Sequence, residues 1–286
     1  MNKCFETDFE TTRIAKIIKK SDELEKVKEM LRSSYKLLRG AYKYLSSIGI
    51  TGEIWSIGSN VFTDFLMKSK IIDDVLRLKD ADLKFIATLT DPSMGKNHRN
   101  PEKSLIRYQF LEIWVRLAEQ KYITSGTITS YAEAVEKILN DHVLPYIHLN
   151  DPHYNAQKWR ETRYWNEGCD TVYKSYLPVV QALYRKYSGM KTKPGQRKFT
   201  CVDEINKLVT DAELLNDTLV ERDIVVLFNQ SMMTQVDELN SDRIFQMSFI
   251  EFLEALARIA DIYSAASPGE DEVIFQLLQF IDANIQ

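Results

Sequence analysis

Tyr108-Gln109-Phe110-Leu111-Glu112-Ile113-Trp114-Val115-Arg116-Leu117-Ala118 and Ile250-Glu251-Phe252-Leu253-Glu254-Ala255-Leu256-Ala257-Arg258-Ile259-Ala260 carry one pattern, Phe-Leu-Glu followed by Arg and Ala at matching offsets. A repeat at that distance points to a chain of two similar halves. In each copy the apolar residues fall three and four apart, as Phe252, Ala255, Leu256 and Ile259 do, which is the period of an amphipathic helix. That period sets Glu254 beside Arg258, and Glu112 beside Arg116, as i, i+4 pairs expected on the outer face and worth about 0.2–0.5 kcal/mol each.

Working outward, the same spacing predicts helices over Asp22–Leu45, Val61–Met67, Asp80–Thr90 and Leu105–Tyr122 in the first half. Ser/Gly and Asp/Pro/Gly stretches separate them, at 46–52 and 91–97. The second half repeats the order. Helices are expected over Leu177–Tyr187, out of the stretch Phe199–Ile205, over Val220–Ser231 and over Met247–Tyr263. Between them, Tyr131–Leu144 is expected to end at Pro145, and an aromatic helix runs from Trp159 toward Tyr187 with Pro178 as a kink. The class is all-α, two lobes of paired helix-loop-helix units: 1–125, a helical connector over 126–170, and 171–286.

Composition narrows the function. In 286 residues there are only 10 Gly and 7 Pro, and a net charge of −4 reads as spread along the chain, which predicts no nucleic-acid partner. No apolar run approaches membrane-spanning length and the first residues lack the apolar core of a signal peptide, so a cytoplasmic protein without a membrane partner is expected. Cys4, Cys169 and Cys201 are far apart and odd in number, as reduced thiols would be.

Met247-Ser248-Phe249-Ile250-Glu251-Phe252-Leu253 resembles the end of an EF-hand loop, with an apolar residue at loop position eight and a glutamate at position twelve. The other units resemble it with changes, ending at Asp64, Gln109 and Asp203. The resemblance implies the EF-hand superfamily, in a two-lobed calmodulin-like arrangement with degenerate loops. Counting back from Glu251 puts Asn240 and Asp242 at the first and third calcium positions, but Ile244 stands fifth and Phe245 sixth, where a turn-permitting Gly belongs. Counting back from Gln109 reaches His98, Asn100 and Glu102. From Asp203 it reaches Thr192, Pro194 and Gln196, nearly without anionic oxygen. Calcium is thus the one cofactor with ligands left, at Asn240, Asp242 and Glu251, and the loops are expected to work without it.

Other constellations carry less. His142, His148 and His153, with Asp151 nearby, match no common metal spacing, and Gly49-x-x-Gly52 lacks the Lys-Ser/Thr of a phosphate loop. No nucleophile stands beside a base, so no enzyme is expected. Trp159, Arg160, Arg163 and Trp165 form an aromatic and arginine cluster of the kind enriched at interfaces, and they are the expected partner-binding residues, with packing between lobes as the competing reading. The stretch from Phe228 to Ala260 is similar to EF-hand-like proteins of protist ciliary axonemes. It implies a non-enzymatic structural or adaptor protein on the cytoskeleton, with axonemal proteins or tubulin as partners. The alternative is a calcium sensor that binds target helices.

Overall fold

Val27, Leu31, Tyr35, Leu38, Tyr42 and Leu45 follow one another at three- and four-residue steps and are all buried, so a single apolar stripe runs the length of the helix Ser21–Ser47. Around that stripe the first half of the chain closes. In this computed structural model, which describes residues 1–49, 54–90, 101, 103–263 and 270–284, the chain divides into two compact units, Met1–Asn155 and Ala156–Gln286.

Unit 1 runs α1 (Asn2–Thr11), α2 (Ile14–Ile17), α3 (Ser21–Ser47), β1 (Ile57–Gly58), α4 (Ser59–Lys68), α5 (Leu78–Leu89), β2 (Ser104–Leu105), α6 (Arg107–Ala118), α7 (Tyr131–Ile138), α8 (Leu144–Leu149) and α9 (Asp151–Tyr154). The two-residue strands pair antiparallel, Ile57 against Leu105 and Gly58 against Ser104, joining the loop after α3 to the loop after α5. Below this pair sits an aromatic core. Trp114 on α6 meets Phe110 at 5.1 Å, Phe62 at 5.7 Å and Phe65 at 5.8 Å between ring centroids. Burying such a ring contributes about 1.5–3 kcal/mol, so α4 and α6 are held chiefly by these side chains.

Unit 2 repeats the order from α12 onward: α10 (Ala156–Trp159), α11 (Glu167–Ser175), α12 (Leu177–Lys186), α13 (Val202–Asp211), α14 (Glu221–Ser231), α15 (Phe249–Tyr263) and α16 (Glu270–Asn284). Here a single antiparallel bridge, Thr200 with Met247, joins the loops after α12 and α14 through two backbone hydrogen bonds of 3.0 and 2.9 Å. Phe228 and Phe252 fill the core beneath it.

The chain is mostly helical, and no described helix is long and apolar enough to cross a membrane. The segment 126–170, expected as a connector, is shared between the units. Its first part supplies Ala134, Val135 and Ile138 to the core of unit 1, where α7 packs on α3 and α6; its last part opens unit 2. Pro145 does not end the helix before it. A π-turn over Leu139–Val143 intervenes and Pro145 falls in the first turn of α8, where its missing N–H leaves no bond unmade. The aromatic helix expected from Trp159 to Tyr187 is broken instead, by a π-turn at Arg160–Tyr164, by Asn166 capping Cys169 at 2.8 Å, and again at Tyr176. Cys4, Cys169 and Cys201 are buried.

Candidate functional site

The backbone pairing fixes which residue in each loop matches the position of Glu251, four residues beyond the paired residue. Met247 lies four residues before Glu251 and Leu105 four before Gln109, as expected; the partner positions Thr200 and Ile57 then put Glu204 and Val61 in the matching places. Asp203 and Asp64, assigned there from sequence, are one and three residues out of register. Both point outward, Asp64 pairing with Lys68 at 2.7 Å and Asp203 with Lys191.

Three of the four matched residues do the same local work. Gln109 Oε1 accepts the N–H of Ile106 at 3.0 Å, Glu204 Oε2 that of Cys201 at 2.8 Å, and Glu251 Oε2 that of Ser248 at 2.8 Å. Each satisfies a backbone donor at the start of its helix. In unit 2 the second carboxylate oxygen reaches further. Glu204 Oε1 accepts the Met190 N–H at 2.7 Å and Glu251 Oε1 the Met233 N–H at 2.7 Å, so each glutamate ties the start of its loop to the exit helix.

Glu251 also holds a cation, and it belongs to the chain. The Arg243 guanidinium donates to Glu251 Oε2 and to the Gln246 carbonyl oxygen, one residue before the bridging Met247. In a calcium loop the carbonyl at position seven and the carboxylate at position twelve are both calcium ligands. Arg243 therefore bonds the two groups that a dication would need. Of the remaining expected ligands, Asn240 lies exposed and donates through its side chain to Asp237 at 2.9 Å, and Asp242 opens a short 3-10 turn. Among the described residues no group of three or more His, Cys, Asp or Glu side chains is placed to hold a metal. The residues present fit a dication poorly: binding at Glu251 would have to displace a guanidinium, a serine hydroxyl at 2.7 Å and two backbone N–H groups. His98, Asn100, Glu102 and Gly52 lie outside the described residues.

The Glu/Arg pairs of the opening repeat are inside, contrary to the outer-face expectation. Glu112 is fully buried and Glu254 nearly so. Glu112 accepts from Arg116 Nε at 2.7 Å, from the Arg13 backbone at 2.6 Å and from the Arg13 guanidinium at 3.1 Å. Arg13 continues to the carbonyls of Ala87 and Thr88, at the end of α5. Unit 2 builds the same tie: Glu254 accepts from Arg258 Nε at 3.0 Å and Arg160 Nε at 2.8 Å, and Arg160 donates onward to the Gln230 carbonyl at the end of α14. Each carboxylate is flanked by two guanidiniums, which leaves one positive charge over, and the arginine from upstream, Arg13 or Arg160, also meets carbonyls at a negative helix end. The covering arginines lie 99 and 94 residues before their glutamates, beyond any local pattern.

This tie also accounts for most of the aromatic cluster. Trp159 donates its indole N–H to Asp261 at 2.7 Å and carries the Arg258 guanidinium 3.9 Å from its ring; Arg163 donates to the same Asp261 at 3.0 Å. Trp159, Arg160 and Arg163 are thus engaged by α15 of their own unit. Trp165 is different, with 59% of its surface exposed. His142 approaches the Tyr122 hydroxyl and His153 packs on Tyr44, apart from one another.

One basic cluster is hidden by the near-neutral net charge. Between Arg185 and Lys198 stand Arg185, Lys186, Lys191, Lys193, Arg197 and Lys198 with no carboxylate among them, all exposed, the first two on the last turn of α12 and the other four in the loop that precedes Thr200. A running charge count over the sequence would have found it. Comparison with protein families, with curated proteins and with solved structures finds no match to this chain.

Proposed function

We propose that each unit is a degenerate EF-hand-like pair that keeps its shape without metal, and that the protein is a non-enzymatic structural or adaptor module binding other proteins. The observation that carries this reading is Arg243, bonded to both the Glu251 carboxylate and the Gln246 carbonyl. The order helix, loop, helix with paired loops, present in both units, supports the resemblance. A calcium sensor needs a clamp free to move onto the ion, and Glu251 is held by partners from three directions.

Calorimetric titration of the intact protein with calcium tests this. The expected result is no heat, no change in helicity and no gain in apolar dye binding at millimolar calcium; saturable heat with exposure of an apolar groove would establish the sensor instead. The likeness of Phe228–Ala260 to axonemal proteins extends the proposal to a place on ciliary microtubules. Retention in the detergent-extracted cytoskeleton is expected there, and recovery wholly in the soluble fraction would remove that extension.

A further inference from the structure

We infer that the loop from α12 to Thr200 is a docking surface for an acidic peptide, a short segment rich in Glu and Asp. This deepens the adaptor reading, on which it rests, by giving the partner a chemistry. The loop is ordered by its own bonds. Gly189 N–H donates to the Phe199 carbonyl at 3.0 Å and closes the base, while the Tyr184 hydroxyl donates to the Lys198 carbonyl at 3.2 Å and brings the last turn of α12 against the returning strand. At the tip, Lys193-Pro194-Gly195-Gln196 forms a tight turn in which the Gln196 N–H meets the Lys193 carbonyl at 3.1 Å; Gly195 has φ +82, the conformation that glycine at this position supplies.

Cations are thereby collected on one small, fixed element. Lys191 pairs with Asp203, whereas Arg185, Lys193, Arg197 and Lys198 make no ion pair among the described residues. Elsewhere in residues 156–286 carboxylates outnumber cations, so the positive charge is concentrated here against an acidic background. That contrast selects the partner. The excess of carboxylates in the rest of the unit disfavours a long polyanion such as RNA or an anionic membrane, while a short acidic segment needs only the cations of the loop. The aromatic rings that would stack on bases are also withdrawn, since Tyr187 is buried and Tyr184 and Phe199 are half-buried.

The test is fluorescence anisotropy of the intact protein with a labelled glutamate-rich dodecapeptide at about 50 mM salt, where surface charges are weakly screened. Its controls are the glutamine version of the peptide, a single-stranded RNA oligonucleotide and vesicles containing phosphatidylserine. Binding of the glutamate peptide alone, weakening steeply with salt and by about tenfold or more in the Lys193→Glu/Arg197→Glu variant, is expected. Both side chains are exposed, so the variant should melt as the wild type does. No binding of the glutamate peptide, equal binding of the glutamine peptide, an unchanged affinity in the variant, or tighter binding of RNA or vesicles would each overturn the proposal. If the peptide binds only in calcium, the surface stands and the metal-independent reading falls.

Discussion

Units 1 and 2 solve one problem with different chemistry: how to hold the start of a loop against the helix that leaves it. In a calcium loop the ion does this. Unit 2 keeps carboxylates, Glu204 and Glu251, and lets them grip the Met190 and Met233 N–H groups directly, with Arg243 standing at the fourth loop. Unit 1 has Val61 and Gln109 at the matching places and relies on Trp114, Phe62, Phe65 and Phe110 beneath the Ile57–Leu105 pair. The difference teaches that the same link between loop and helix is made in unit 2 by carboxylates gripping backbone N–H groups and in unit 1 by an aromatic core. What both units share is the Arg–Glu–Arg tie at the far side of the exit helix.

The largest effects should come from breaking that shared tie. Glu112→Ala strands Arg13 and Arg116, and Glu254→Ala strands Arg160 and Arg258; each is expected to cost about 3–5 kcal/mol in urea unfolding, because an uncompensated buried charge remains. A loss in one copy only would mean that the two ties are not equivalent. Next, Gly40→Ala should damage unit 1 alone. A Cβ there would stand 2.2 Å from the Tyr154 carbonyl oxygen, so a change that favours most helices should here cost about 2–3 kcal/mol. Smaller again, Glu251→Gln and Glu204→Gln should each cost about 1–2 kcal/mol by weakening the grip on the Met233 and Met190 N–H groups, with faster amide exchange at those residues as the signature.

The smallest effect is acid sensitivity in unit 1. Glu23 accepts the Ala132 N–H and the Ser130 hydroxyl, which hold its carboxyl below the usual 4.5. A depressed folded pKa contributes stability above the unfolded value and loses it as pH falls, so the contribution should be full above about pH 4.5 and fade below it. Glu23→Gln should flatten the acid limb of the unfolding midpoint against pH; an unchanged limb would show that the bond contributes nothing measurable.

The helices were legible because their signals are local. The apolar spacing predicts Val220–Ser231 and the helix found is Glu221–Ser231, with Asp223 accepting the Val220 N–H. The loop register is not legible, since Thr200 meets Met247 across 47 residues and only that pairing shows Glu204, rather than Asp203, in the position that matches Glu251. Burial of Glu112 and Glu254 was hidden for the same reason: an i, i+4 pair reads as solvated until an arginine from far upstream covers it. Arg243 could be seen in the sequence, but its role needs the turn that folds it back onto Glu251. The basic loop was plain in the residues and masked by the average.

Amide hydrogen exchange at Met233 in the intact protein tests the central claim most directly, because this N–H donates to Glu251 at 2.7 Å and would be released if calcium took the carboxylate. Equal protection in chelator and in millimolar calcium is the predicted result. A change in protection at Met233 when calcium is added would contradict it.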